Sequence, residues 1–183
     1  MHKILITGSI HEIGLDLLNR EKDLEIRYAP ELPYQEILKI ISDFHCILTR
    51  SETAVLKELI DSAPNLKVIA RAAVGIGNID VDYATEKGIL VINTPGKNNT
   101  SAAELAIGLL LSAMRNIVPA HSHMSKLKWD RHSFTGTELL GKLIGIIGLG
   151  NVGHRVARYA KAFEMEVLAY DPYVSDEVFD RHS

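Results

Sequence analysis

Gly148-Leu149-Gly150-Asn151-Val152-Gly153 decides how this chain is read. An apolar run, Leu143 to Ile147, leads into it, and an amphipathic segment with Val152, Val156, Tyr159, Ala160 and Phe163 at helical spacing leads out. The pattern is strand, glycine turn, helix. A second apolar run, Met165 to Tyr170, ends at Asp171, which completes the signature of a dinucleotide-binding βαβ unit. Gly148 permits the tight turn, Gly150 lets a pyrophosphate approach the backbone, and Gly153 lets the helix lie close to the strands. The helix N-terminus supplies unpaired N–H groups and the positive end of its dipole to an anion. Asp171 is expected to accept hydrogen bonds from the ribose hydroxyls, and a carboxylate there repels a 2′-phosphate, so the expected cofactor is NAD.

Working outward, short apolar runs alternate with helical patterns from the start. Lys3 to Thr7, Leu24 to Ala29, Cys46 to Thr49, Val68 to Ala72 and Ile89 to Ile92 read as strands. Helices are expected around Ile13, Leu17 and Leu18, around Ile37, Leu38 and Ile41, around Val55, Leu56, Leu59 and Ile60, and over Val81 to Lys87, stopped by Gly88. Strands this apolar, separated by crossovers, predict a parallel sheet covered on both faces. The fold class is α/β, with one doubly wound domain over residues 1–96. Asn93-Thr94-Pro95-Gly96-Lys97-Asn98-Asn99 is dense in turn formers and reads as the crossing into a second domain, 97–183. Ser101 and Glu104 fit a capping box, and the helix after them, apolar nearly all round, predicts burial at a domain or subunit interface. His121 to Trp129 reads as another short helix. One strand, one helix and a second strand cannot bury both faces of a sheet, so the nucleotide unit is expected to be poorly ordered or to lean on a partner.

Composition narrows the classes. Of 183 residues, 46% are hydrophobic and 23% charged, and the formal net charge of −3 is spread along the chain, so no nucleic-acid footprint is expected. The longest apolar helical run, Leu105 to Met114, is too short to span a bilayer, so no membrane role is expected. The start, Met1-His2-Lys3-Ile4, enters a strand without a signal-peptide pattern, and a cytoplasmic location is expected. Cys46 is the only cysteine, which excludes an internal disulfide and predicts a buried thiol. His121 and His123 diverge on a helix, so no metal site is expected. Arg71 is left between substrate contact and an ion pair with Asp80 or Asp82. Thr7-Gly8-Ser9-Ile10-His11-Glu12-Ile13-Gly14 looks superficially like a second phosphate-binding turn, but Glu12 stands where a glycine would have to be.

Four blocks, in this order and spacing, carry a resemblance: Arg71-Ala72-Ala73-Val74-Gly75-Ile76-Gly77-Asn78-Ile79-Asp80, Asn93-Thr94-Pro95-Gly96, Ser101-Ala102-Ala103-Glu104-Leu105, and Gly136-Thr137-Glu138-Leu139 running into the glycine motif. They resemble the D-2-hydroxyacid dehydrogenase family from the first strand to Asp171. The resemblance implies a flavodoxin-like substrate domain, followed by the start of a Rossmann NAD-binding domain that this chain carries only through its second strand. It implies hydride transfer between C2 of a D-2-hydroxy acid and nicotinamide C4. The expected substrate is 3-phosphoglycerate. Reduction of glyoxylate, hydroxypyruvate or D-lactate is the alternative within the family, and an inert NAD-binding or interaction fragment the alternative outside it.

By position, the resemblance implies that backbone N–H groups of Ala73, Val74 and Gly75 hold the substrate carboxylate and that Arg50 meets its acidic groups. Val74, Asn151 and Val152 are implied to touch the cofactor, with Asp171 as the ribose-binding acid. Gly77 departs from the Asp common at that place, which loosens the loop. The family's catalytic Arg, Glu and His are implied to lie beyond Ser183, so the chain alone is expected to be inactive. A homodimer through residues 100–140 is also implied.

Overall fold

The computed structural model describes residues 1–175. The chain divides into two compact units, Met1–Pro95 and a second beginning at Gly96. The first contains β1 (His2–Ile6), α1 (Glu12–Asn19), β2 (Leu24–Tyr28), α2 (Tyr34–Ile40), β3 (Cys46–Thr49), α3 (Lys57–Asp61), β4 (Val68–Arg71), α4 (Val81–Glu86) and β5 (Leu90–Ile92). All five strands are parallel, in the order β2-β1-β3-β4-β5.

This order places the reversal between β1 and β3, the switch point beside whose strand ends such sheets take ligands. It also corrects the expectation of two covered faces. Right-handed crossovers send α2, α3 and α4 to one face, because β2 to β5 runs in one direction across the sheet, and leave only α1 for the other. On the covered face Leu5, Ile47 and Ile69 are fully buried with Ile37, Leu59 and Ala84. Each large apolar side chain buried there contributes about 1.5–3 kcal/mol. The opposite face remains partly open: Leu90 is 59% exposed, Ile92 46%, and α1 buries none of its residues. Cys46 faces that side, in register with Ile4, and is half-buried, not fully buried.

One helix expectation changes and another holds. Val55 and Leu56 fall outside α3, since Val55 N–H donates to Asn78 O at 2.8 Å and its carbonyl accepts from Asp80 N–H at 3.0 Å, a strand-like bridge. Gly88, at φ 72°, does follow the last turn of α4.

The second unit contains α5 (Asn99–Met114), α6 (Ile117–Met124), β6 (Leu143–Ile147), α7 (Gly153–Ala162) and β7 (Glu166–Tyr170). Ser101 does not cap α5: the helix starts two residues earlier, where Ala102 N–H closes the first turn on Asn98 O at 2.9 Å and Asn99 is buried. The left-handed Gly96 turns the chain early enough for this. Ala103 and Ile107 are buried, and Leu110, Leu111 and Met114 pack against Leu139 and Ala160. Leu105 and Leu109 are instead 64% and 61% exposed, so α5 is not covered all round. The expected helix over His121 to Trp129 ends at Met124, because Leu127 takes a left-handed backbone and Asp130 Oδ1 accepts the N–H groups of His132 and Ser133 in a turn. Among the described residues no single helix is long and apolar enough to cross a membrane; α5 and α6 pass by length and composition only as a pair bent by 64°.

β6 and β7 pair in parallel over five residues. The strands form in full, yet only one of their faces is covered. Ile146, Val167 and Ala169 meet α7 through Val156 and Ala157, while Leu143, Ile147, Leu168 and Tyr170 are 61%, 90%, 63% and 64% exposed. Phe163 lies beyond the packed face, at the helix C-cap and 39% exposed, and Ala157 takes the central place.

Candidate functional site

The glycine turn between β6 and α7 is built as a cradle of backbone donors. Gly148 holds φ 93°, a left-handed value that a side chain disfavours, and its N–H donates to Tyr170 O at 2.7 Å. A Cβ on Gly153 would collide with Gly148 O, so the helix approaches the turn only because that residue has none. A Cβ on Gly150 would meet nothing within 4 Å. Open space there fits the close approach of a ligand.

Carbonyls of this turn are already engaged. His154 Nδ1 lies 2.7 Å from Gly150 O, and Arg155 Nη1 donates to Asn151 O at 2.6 Å while standing 2.9 Å from His154 Nε2. This arrangement fits an imidazole protonated on Nδ1. With the carbonyls turned toward the helix, the N–H groups of Gly150, Asn151 and Val152 make no hydrogen bond among the described residues. They sit at the N-terminus of a ten-residue helix, an arrangement that suits an anion. The sequence reading missed His154 and Arg155, although a side chain in the first helical turn after a glycine loop is well placed to bond its carbonyls.

Asp171 follows β7, as expected, and does more than was expected of it. Its Oδ2 accepts Leu149 N–H at 2.7 Å and its Oδ1 accepts Tyr173 N–H at 2.9 Å. The carboxylate therefore ties the turn to the end of the second strand. Two oxygens offer about four acceptor positions, so it retains capacity for further donors.

In the first unit the expected substrate residues gather at the carboxyl ends of the strands. Thr94 N–H donates to Ala73 O at 3.1 Å and Asn93 Nδ2 to Val74 O at 2.6 Å. With those carbonyls occupied, the N–H groups of Ala73, Val74 and Gly75 have no acceptor among the described residues. Successive unspent N–H groups of this kind suit a carboxylate or phosphate. Arg50, after β3, is exposed, and its Nη1 donates to Ser9 O at 3.1 Å across the switch point. Gly8 is needed for that closeness, since a Cβ on it would come within 2.7 Å of Arg50 N.

Asn78, unremarked in the sequence, braces the same edge: its Nδ2 donates to Arg50 O at 2.9 Å and Thr53 O at 2.8 Å. The freedom that Gly77 was expected to give the loop is offset by this bond pair. Among the described residues, the buried side-chain atoms lacking a partner are Thr7 Oγ1, Arg71 Nε and Nη1, and Asn78 Oδ1, all three residues at or beyond a strand's carboxyl end. Desolvated polar groups without partners are costly, and these gather at one edge of the sheet.

Other groups do not join these sites. Burial pushes the Cys46 thiol up to about 11, which makes it a poor nucleophile. His123 packs its ring on Phe134, and His121 lies against Ser125.

Comparison with known proteins places this geometry. Residues 4–180 match the catalytic domain of the D-isomer specific 2-hydroxyacid dehydrogenases. The chain is 46% identical over 178 residues to a D-3-phosphoglycerate dehydrogenase of Methanocaldococcus jannaschii, covering 97% of this chain and 34% of that protein. It is 42% identical over 171 residues to a hydroxypyruvate reductase of Thermotoga maritima, covering 93% and 56% respectively. The NAD+-bound 3-phosphoglycerate dehydrogenase of Entamoeba histolytica superposes with a TM-score of 0.76 at 27% identity, over 97% of this chain and 56% of that one. The chain thus spans about a third of the Methanocaldococcus protein. Its parallel sheet, its glycine turn and the match over residues 4–180 agree: the chain belongs to the D-isomer specific 2-hydroxyacid dehydrogenase family.

Proposed function

We propose that the protein carrying this chain oxidises D-3-phosphoglycerate to 3-phosphohydroxypyruvate with NAD+. The carrying observation is the glycine turn, whose Gly150, Asn151 and Val152 N–H groups are unspent while Asp171 stands fixed at the next strand end. The 46% identity to the phosphoglycerate dehydrogenase named above supports this choice of substrate.

In this reading residues 1–96 form the N-terminal part of the substrate domain and residues 97–183 begin the nucleotide domain. Gly148, Gly150, Asn151, Val152 and Gly153 hold the pyrophosphate, Asp171 accepts from the ribose hydroxyls and disfavours a 2′-phosphate, and Val74 touches the cofactor. NAD+ held by these residues would supply the hydride acceptor for oxidation at C2 of the substrate, the hydroxyl proton leaving to solvent. The chain's own residues bind and orient: Ala73, Val74 and Gly75 donate to the substrate carboxylate, and Arg50 meets an acidic group.

The protein is proposed to be cytoplasmic and to pair as a homodimer through residues 100–140. Exposed Leu105, Leu109, Ile117 and Val118 support the pairing, since exposed apolar groups favour association. Hydroxypyruvate reduction is the second reading, favoured by the 42% identity to the Thermotoga enzyme.

The test follows NADH absorbance in the full-length protein with D-3-phosphoglycerate, D-glycerate, D-lactate and the corresponding keto acids. Turnover of phosphoglycerate with a higher kcat/KM than that of the unphosphorylated acids supports the main reading. A preference for hydroxypyruvate moves it to the second, and turnover of none of them refutes both.

A further inference from the structure

His154 and Arg155, both half-buried, stand in the first turn of α7 and bond the glycine turn in front of it. In a planar trans peptide the C=O of one residue and the N–H of the next point opposite ways. A side chain that holds Gly150 O or Asn151 O therefore also aims the N–H of Asn151 or Val152. Those two carbonyls are the ones engaged: His154 Nδ1 lies 2.7 Å from Gly150 O, and Arg155 Nη1 donates to Asn151 O at 2.6 Å. The N–H groups on the far side of the same two peptides have no acceptor among the described residues.

The two peptides are not held alike. Gly150 O also accepts His154 N–H at 3.2 Å, so the helix backbone secures it in any case. Asn151 O is passed over, because Arg155 N–H donates to Val152 O at 3.0 Å instead. Among the described residues, only the Arg155 guanidinium holds that carbonyl. Both hydrogens of Nη1 are spent, one on Asn151 O and one on His154 Nε2 at 2.9 Å. The imidazole thus fixes the guanidinium, and the guanidinium fixes the Asn151–Val152 peptide. Rotated the other way, that peptide would turn its oxygen, the negative end of its dipole, toward an approaching anion.

We infer that Arg155, fixed by His154, is a positioning residue for the dinucleotide, keeping the Asn151–Val152 peptide with its N–H toward the pyrophosphate. This rests on the nucleotide site proposed above. Neither side chain has to touch the cofactor to act. A guanidinium suits the task because its planar fork meets two acceptors with little rotational freedom left to lose. Without it the peptide samples both orientations, and apparent affinity falls in proportion to the fraction of time spent in the competent one.

The test uses the full-length protein with Arg155→Met, Arg155→Lys and His154→Phe, the lysine keeping a charged donor in case the methionine variant fails to fold. ADP-ribose, which carries the pyrophosphate, is titrated calorimetrically beside adenosine, which lacks it. Arg155→Met is expected to weaken ADP-ribose ~10-fold and adenosine less than ~2-fold, with Arg155→Lys between it and the wild type. His154→Phe, which removes no cation, is expected to weaken ADP-ribose ~3-fold. In turnover the loss falls on the KM for NAD+ and not on kcat, as for binding shared by ground and transition states. Unchanged ADP-ribose affinity in both Arg155 variants, an equal loss with adenosine, or a loss in the Arg155 variants with none in His154→Phe overturns the inference. If the wild type binds ADP-ribose through Arg155 yet oxidises no 2-hydroxy acid, the dehydrogenase reading fails and the positioning role stands. A wild type that binds neither NAD+ nor ADP-ribose removes both.

Discussion

Gly153→Ala and Gly150→Ala remove the same kind of residue from one six-residue motif, and the structure assigns them opposite consequences. At position 153 the new methyl would overlap Gly148 O, stand 3.0 Å from Gly148 C and 3.4 Å from Ile146 Cγ2. Neither backbone atom can swing aside as a side chain does, so the turn or the helix must shift. Overpacking of this kind costs about 1–3 kcal/mol. For a chain of this length each kcal/mol lowers Tm by roughly 2–4 °C, so the midpoint should fall by about 2–12 °C. At position 150 the methyl meets nothing within 4 Å and the backbone is not left-handed, so stability should change by less than about 0.5 kcal/mol. If a pyrophosphate does approach Gly150, that variant should nevertheless lose dinucleotide affinity. The assay is thermal unfolding of both variants without nucleotide, followed by NAD+ titration of the full-length protein. Equal unfolding midpoints for Gly153→Ala and wild type, or equal destabilisation by both alanines, would refute the packing argument.

Asp171→Ala should lower stability before any nucleotide is added, because Leu149 N–H and Tyr173 N–H lose their acceptor. Hydrogen bonds to a charged group contribute about 1.5–3 kcal/mol each when sheltered and less here, where Asp171 is only half-buried. Urea unfolding reads this, with Asp171→Asn expected between alanine and wild type; an unchanged midpoint would show that the carboxylate does not organise the turn. For Cys46, a folded value of about 11 against 9.0 for an unperturbed thiol predicts alkylation by iodoacetamide at pH 8 roughly 100-fold slower than in the unfolded chain. Because the folded value is the higher one, the neutral thiol's contribution to stability is whole below pH 9 and is lost as pH rises from 9.0 towards about 11. Equal labelling rates in the folded and unfolded chain would contradict the burial.

Much of the fold was legible because it depends on local pattern. Cys46–Thr49 and Leu143–Ile147 appear as strands at the predicted limits, since continuous apolar runs between turn formers leave the backbone few other states. Helix boundaries were less legible where distant partners compete for the same N–H groups: Asn78 takes Val55 into a bridge, and the Gly96 turn starts α5 ahead of Ser101. Of the expected site, the Ala73–Gly75 loop and the glycine turn were visible as motifs. Their readiness to donate was not, since it depends on Asn93, Thr94, His154 and Arg155 holding the neighbouring carbonyls.

Sequence alone determined the parallel α/β class, the glycine turn, the acidic strand end and the family, because strand period, glycine spacing and residue order are properties of the chain. Tertiary structure decided which face of the five-stranded sheet stays open, since crossover hand and strand order place three helices on one side. It also decided the state of individual groups. Asp171 proved to hold the turn it was expected only to face, and Arg71 proved to have no carboxylate partner, because Asp80 spends its oxygen on a helix cap. Partnership of a charged group is set by what else competes for it in space, and no spacing along the chain records that.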